Sequence, residues 1–297
     1  MNSETIIQPP LWKSYLVLCK PNVVAEMLFT AVVGMLLAVP GLPPLDLAFW
    51  GLIGIALAAA SAAAVNHFID REIDIKLNPK RPLPQVFLQP NQVLVFATIL
   101  GVASMVILLI GVNVLTAVLT FLSMFGYAII YTRYLKRMTP QNIVIGGAFG
   151  ATPPLLGWCA ITGEIHPYAL LLVLIIFVWT PPHFWPLAIA KREKYALVNI
   201  PMLPVTHTLE FTRLQILLYT ILLLIVTLLP YLTGMSGLIY LGFAVPLGLG
   251  FIYFALLMMR TKDDKTAIRT FVYSIVYITL MFAGLLVDHY VPMLRVI

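Results

Sequence analysis

The chain has 297 residues, of which 61% are hydrophobic and 10% charged, with a formal net charge of +6. Soluble domains carry about 25% charged residues, so the composition excludes a water-soluble enzyme and leaves no room for a large hydrophilic domain. It describes an integral membrane protein with no nucleic-acid partner, and its two cysteines, Cys19 and Cys159, fall on different segments and suggest neither a disulfide framework nor a metal site.

Residues 1–20 lack the basic start and apolar run of a cleavable signal peptide. With Glu4, Pro9 and Pro10 they read as a short polar tail. Nine apolar runs follow at roughly 23–40, 47–66, 92–111, 113–131, 142–162, 168–190, 214–232, 236–259 and 270–288. Each is near the ~20 residues that a ~30 Å hydrocarbon layer requires. The long run 92–131 is divided at Gly111-Val112-Asn113, and Pro40, Pro43 and Pro44 punctuate the first hairpin. Residues 1–297 therefore read as one all-α membrane domain.

The basic residues orient this map. Lys13 and Lys20 precede the first span, and Arg71, Lys76, Lys80 and Arg81 lie between the second and third. Arg133, Lys136 and Arg137 lie between the fourth and fifth, and Lys191, Arg192, Lys194 and Arg213 between the sixth and seventh. Arg260, Lys262, Lys265 and Arg269 separate the last two, so every Lys and Arg except Arg295 falls on one side. Lys and Arg stay with cytoplasmic loops, which puts the N-terminus and the charged loops in the cytoplasm and the C-terminus across the membrane. The two longest loops, 67–91 and 191–213, lie four helices apart and hint at a duplicated four-helix unit.

Asn66, Asp70 and Asp74 are spaced i, i+4, i+8 at the end of the second span. At ~3.6 residues per turn their oxygens share one helix face. One reading is a Mg²⁺ site holding a phosphate, because a hard cation takes oxygen ligands of this kind. The other is a solvated helix end whose acids pair with Arg71, Lys76 or Lys80. Glu72 lies on another face, where it pairs with Lys76. In Lys80-Arg81-Pro82-Leu83-Pro84 the prolines hold an extended segment and keep Arg81 near the acidic face, either to bind a diphosphate bidentately or to anchor the loop at the membrane surface.

Gln141 and Asn142 open the fifth span and offer amides to a polar cavity, while Gly146, Gly147 and Gly150 allow close helix approach. Trp179-Thr180-Pro181-Pro182-His183-Phe184-Trp185-Pro186 breaks the sixth span, with His183 in the break. Lys191 and Tyr195 share a face at its end. Glu26, in the first span, is either a functional membrane carboxylate or a side chain that reaches the interface.

Asn66-x-x-x-Asp70-x-x-x-Asp74 followed by Arg81-Pro82-Leu83-Pro84 resembles the UbiA superfamily of intramembrane prenyltransferases. Leu135-Lys136-Arg137-x-Thr139-Pro140-Gln141-Asn142, Pro153-Pro154-Leu155-x-Gly157-Trp158, the Trp179–Trp185 run and Ile200-Pro201-Met202-Leu203-Pro204-Val205 look like one branch of it, the haem O synthases (protohaem IX farnesyltransferases). The resemblance covers the chain from Lys20 onward. It implies a nine-helix bundle around a central cavity open to the lipid. It also implies Mg²⁺ as the ion, farnesyl diphosphate and haem b as substrates, and haem O as a product used by a haem A synthase or terminal oxidase assembly. The short N-terminus without an Arg/Ser-rich transit peptide favours a bacterial inner membrane.

On that resemblance, Asn66, Asp70 and Asp74 hold the metal. Lys20, Lys80, Arg81, Arg133, Lys136, Lys191 and Arg192 supply positive charge, and His183 or Tyr195 orients haem or relays a proton. Most of the superfamily carries a second Asp-x-x-x-Asp; here Lys191 and Tyr195 stand at those positions, so a second carboxylate-held ion is not expected. The first helix begins Lys20-Pro21-Asn22 where the superfamily often has Lys-Pro-Arg. The rival readings are a UbiA-type enzyme with an aromatic or quinone acceptor, a secondary transporter with broken helices, and a structural subunit of an oxidase.

Overall fold

The computed structural model describes residues 10–294, with side chains through Val291. The tail residues Glu4 and Pro9, and Arg295, lie outside the described residues. The first described element corrects the reading of a polar tail. Leu11–Leu18 (α1) is a short helix with Leu11, Trp12, Leu16 and Val17 exposed. It meets Pro21–Leu37 (α2) at a 49° bend. Pro21 sits at the first helical position, where its missing N–H is not needed. The bend turns on Lys20, a non-glycine residue in the left-handed region (φ 48°).

Leu45–Ile69 (α3) continues after Asp70 as Arg71–Leu77 (α4). Pro90–Gly111 (α5) follows a capping box between Gln89 and Gln92. The division at 111–113 has a local cause. Asn113 caps Val114–Phe125 (α6), accepting from the Thr116 N–H at 2.8 Å and donating to the Cys159 carbonyl at 2.9 Å. The span then widens into a π-helix, Gly126–Leu135, before one turn of α-helix, Lys136–Met138 (α7). Asn142–Gly150 (α8) and Pro153–Thr162 (α9) together form a span broken at the proline pair.

Pro167–Ala190 (α10) differs from expectation, since it stays helical through Pro181, Pro182 and Pro186. The prolines remove N–H donors without ending the helix, because neighbouring helices hold it on both sides. The loop beyond it contains Arg192–Leu197 (α11) and Leu203–Thr206 (α12). Leu209–Leu232 (α13), Leu238–Thr261 (α14) and Asp264–Leu294 (α15) complete the chain. Among the described residues, eight helices are long and apolar enough to cross a membrane, and nine if the bent pair α1–α2 counts as one. The fold is an all-α, multi-spanning bundle.

Lipid offers no hydrophobic drive between helices, so close packing and polar cross-links hold the bundle. α2 and α9 approach backbone to backbone, since a Cβ on Gly34 would strike the Pro154 carbonyl and one on Gly157 the Ala31 carbonyl. α3 and α5 are tied by Ser61 donating to the Ala97 carbonyl and Ser104 to the Gly54 carbonyl. The last helix closes on the first span, where the Tyr290 hydroxyl donates to the Gly41 carbonyl at 2.8 Å. Asp288 caps α14 by accepting from the Gly237 and Tyr240 N–H groups. Outward side chains such as Ile99, Val102, Leu109, Ile110 and Leu122 are exposed and apolar, as a lipid-facing surface requires.

Gly157→Val should drive α2 and α9 apart and lower stability by about 1–3 kcal/mol, the usual cost of overpacking. Gly150→Ala should leave it unchanged, because nothing lies within 4 Å of the added Cβ. Thermal unfolding of the detergent-solubilised variants distinguishes the two.

Candidate active site

The i, i+4, i+8 row survives the junction of α3 and α4. The N–H of Asp70 bonds to the Asn66 carbonyl (2.9 Å) and that of Asp74 to the Asp70 carbonyl (2.8 Å), so the helical register continues. Asn66, Asp70 and Asp74 are 3%, 1% and 1% exposed. They therefore do not form a solvated helix end. Asn78 adds a fourth member of the row, donating to Asp74 Oδ1 at 2.9 Å. The same four-residue spacing in the sequence extends to it.

Buried carboxylates require partners, and these come from three other segments. Lys136 Nζ donates to Asp70 Oδ2 and Arg81 to Asp74 Oδ2, each at 2.5 Å. Lys20 Nζ donates to Asn66 Oδ1, also at 2.5 Å. The Asn66 amide nitrogen in turn donates to Asp70 Oδ2 (3.0 Å) and the Thr132 hydroxyl (3.1 Å). Burial, with the Arg81 charge beside it, brings Lys20 down to about 8 against the opposing pull of Asp70 and Asp74. The partners expected from neighbouring positions are elsewhere. Arg71 donates to the Phe68 carbonyl and pairs with Glu72 in place of Lys76, and Lys80 is exposed.

The π segment determines what its span presents to the site. Its i→i+5 pattern is seen where the Lys136 N–H bonds to the Tyr131 carbonyl, and the Thr132 hydroxyl donates to the Tyr127 carbonyl one wide turn back. Such wide turns often mark functional positions. They bring Tyr127, Tyr131 and Lys136 to one wall, with the two tyrosine rings stacked at 5.5 Å. Arg133 shares a face with Lys136 only in α-helical register; in the π register it is exposed and outside the wall.

The opposite wall comes from the end of α10 and from α11: Phe184, Lys191, Lys194 and Tyr195, with Met202 below them. Burial raises the Tyr195 phenol above its ordinary range, with Arg81 pulling the other way. Five expected residues lie away from this cavity. Arg192 donates to the Ile189 carbonyl and pairs with Asp264 at 2.6 Å. Asn142 donates to the carbonyls of Thr139 and Pro201, and Gln141 is exposed. His183 packs against α15. Glu26 is exposed on α2.

The cavity is about 250 Å³ and sits at the end of the bundle. Five cations line it, Lys20, Arg81, Lys136, Lys191 and Lys194, against two carboxylates, Asp70 and Asp74. That balance suits a polyanion. A hard cation also fits. Mg²⁺ takes one or two carboxylates and completes its shell from phosphate oxygens and water, and Asp70 Oδ1 is buried with no hydrogen-bond partner. Among the described residues there is no group of three or more His, Cys, Asp and Glu able to hold a metal by themselves. Asn66 departs from expectation, because its oxygen is engaged by Lys20 and its amide nitrogen faces Asp70.

The pattern of the UbiA prenyltransferase family matches residues 27–285. A relative from Methylococcus capsulatus named protoheme IX farnesyltransferase is 61% identical over 94% of this chain and 95% of its own length. Among solved structures, a digeranylgeranylglyceryl phosphate synthase superposes with a TM-score of 0.79 over 94% of this chain and 98% of that one, at 19% identity. A UbiA homolog from Archaeoglobus fulgidus bound to DMAPP and Mg²⁺ superposes at 0.66 over 92% and 99%, at 16% identity. At those identities the structures speak for the fold alone. The helical bundle, the acid row at its charged end and a family match that runs through nearly all the spans agree: the chain belongs to the UbiA prenyltransferase family.

Proposed function

We propose that this protein converts haem b to haem O by transferring the farnesyl group of farnesyl diphosphate to a haem vinyl group, with addition of water. The observation that carries the reading is the chain-long 61% identity to a protoheme IX farnesyltransferase. The cation-rich cavity supports the diphosphate half of it.

Asp70 and Asp74, with Asn66 and Asn78 steadying their carboxylates, are the residues that would hold Mg²⁺. The DMAPP- and Mg²⁺-bound state of the A. fulgidus homolog supports that choice of ion. Bound there, the ion supplies charge neutralisation at the leaving group. The side chains of Lys20, Arg81, Lys136, Lys191 and Lys194 converge on the same volume and hold the diphosphate from several directions. Their work is positioning and electrostatic stabilisation as the C–O bond breaks. Tyr195 keeps its proton and offers it as a hydrogen bond to a phosphate oxygen. Tyr127 and Tyr131 cover the acid row from the side and limit water beside the allylic carbon. Lys191 and Tyr195 act where a second acidic pair stands in much of the family, so one carboxylate-held ion suffices. The charged end faces the cytoplasm of a bacterial inner membrane, where Lys and Arg accumulate. The product passes to a haem A synthase or terminal oxidase assembly.

Membranes containing the protein, supplied with haem b, farnesyl diphosphate and Mg²⁺, should form haem O, read by chromatography and mass. Asp70→Asn should lower the rate by ~10²–10³-fold, and chelation of divalent ions should abolish it until Mg²⁺ is restored. Full haem O formation by Asp70→Asn would reject the metal assignment. A paired substitution tests the π register: Lys136→Ala should lose ~10²-fold or more, whereas Arg133→Ala should stay within about twofold of the parent. Equal losses would mean that both side chains serve the site.

A further inference from the structure

His183 is left unused by the diphosphate cavity, yet its imidazole is held by two aromatic rings and a hydrogen bond. Its ring stacks on Trp179 at 4.1 Å with an interplanar angle of 18° and lies 4.8 Å from Phe271. Its Nδ1 is 2.7 Å from the Ser274 hydroxyl oxygen. The Ser274 hydroxyl is fully buried and donates its own proton to the Phe271 carbonyl at 2.5 Å. That oxygen can therefore only accept from the imidazole, so Nδ1 carries the proton and Nε2 carries the lone pair. Ser274 holds the neighbour as well, since its carbonyl accepts from Trp179 Nε1 at 2.9 Å. One residue of α15 thus fixes both members of the stack.

Nε2 has no hydrogen-bond partner among the described residues, and the ring keeps part of its surface accessible. Pro181, Pro182 and Pro186 leave the carbonyls of Phe177, Val178 and Pro182 without their helical donors. No side-chain donor reaches these carbonyls among the described residues. In a membrane interior, water or a hydroxyl is one way to satisfy them. His183 lies eight residues before Lys191, ~12 Å deeper along the helix. It thus lies toward the apolar middle of the bundle, beyond the diphosphate cavity.

We propose that Ser274 is a positioning residue that fixes His183 with a free Nε2 lone pair, and that this nitrogen takes the proton of the water that adds to the prenylated vinyl group. The inference rests on the farnesyl-transfer reading above. In that reaction the C1–O bond of the prenyl diphosphate breaks, and its electron pair leaves with the diphosphate. The outer vinyl carbon bonds to C1, which leaves a cation on the inner vinyl carbon. Water bonds there through oxygen and gives one proton to Nε2, and the imidazolium later returns it to solvent. Without an aligned base the cation instead loses a proton from the adjacent carbon, giving an alkene lighter by one water.

The test is the product ratio, read by mass on membranes supplied with haem b, farnesyl diphosphate and Mg²⁺. Ser274→Ala should still farnesylate haem but form the hydroxylated product ~10²-fold more slowly, the lower end of a general base's contribution. The alkene should then accumulate. Ser274→Thr keeps the hydroxyl and should restore the parent ratio. His183→Gln, which lacks a basic nitrogen, should match Ser274→Ala and carries the test if Ser274→Ala fails to fold. A parent-like ratio in a folded Ser274→Ala or His183→Gln protein overturns the proposal, as does a Ser274→Thr that behaves like the alanine variant. If the parent itself farnesylates no haem, the reading underneath fails first, and that result is distinct from an unchanged ratio.

Discussion

Two carboxylates buried at the end of a membrane bundle are the constraint on which the rest of this structure depends. Asp70 and Asp74 are nearly inaccessible, and an unpaired charge in such a position is too costly to keep. Their nearest sequence neighbours do not relieve that cost. Relief comes from Lys136 on the span 114–138 and from Arg81 in the loop after α4. Lys20 joins them at the α1–α2 bend through Asn66. The acid row therefore acts as a clasp that draws separate parts of the chain to one end of the molecule. The same convergence leaves a surplus of positive charge there, which makes the end receptive to a polyanion.

The backbone irregularities gather around the clasp. Lys20 adopts a left-handed conformation just before a proline. Asp70 marks the seam between α3 and α4. Gly126–Leu135 is a ten-residue π-helix, long for a form that usually appears as a single turn. Each of these re-aims a side chain that a regular helix would send elsewhere: the Lys20 ammonium toward Asn66, and Lys136 with two tyrosines toward Asp70. The opposite end relies on ordinary caps. Asn113 and Asp288 terminate helices by satisfying backbone N–H groups, and Tyr290 fastens the last helix to the first hairpin.

Helix α10 joins the two environments. Its C-terminal end supplies Lys191 to the charged cavity, while its proline-rich middle holds Trp179 and His183 against α15. The prolines do not break the helix. They strip donors from a stretch that stays helical because α13 and α15 pack on it, so polarity enters the membrane interior without an unwound segment.

Much of this protein was legible in its residues. Apolar runs near the length of a bilayer crossing determine a multi-spanning helical membrane protein, because backbone polar groups in lipid must be satisfied within each segment. The four-residue spacing of Asn66, Asp70 and Asp74 determines a shared face, and the same rule extends to Asn78. What the spacing left open was whether that face is solvated or buried, since two of its three charged partners come from segments 46 and 66 residues distant in sequence. The directions of Arg133, Arg192 and Asn142 were likewise closed to sequence reasoning. Arg133 turns outward because the helix widens, Arg192 because Asp264 captures it, and Asn142 because two carbonyls do. Sequence pattern determines which residues share a helix face; only the tertiary structure decides what that face meets, because the competing partners arrive from elsewhere in the chain.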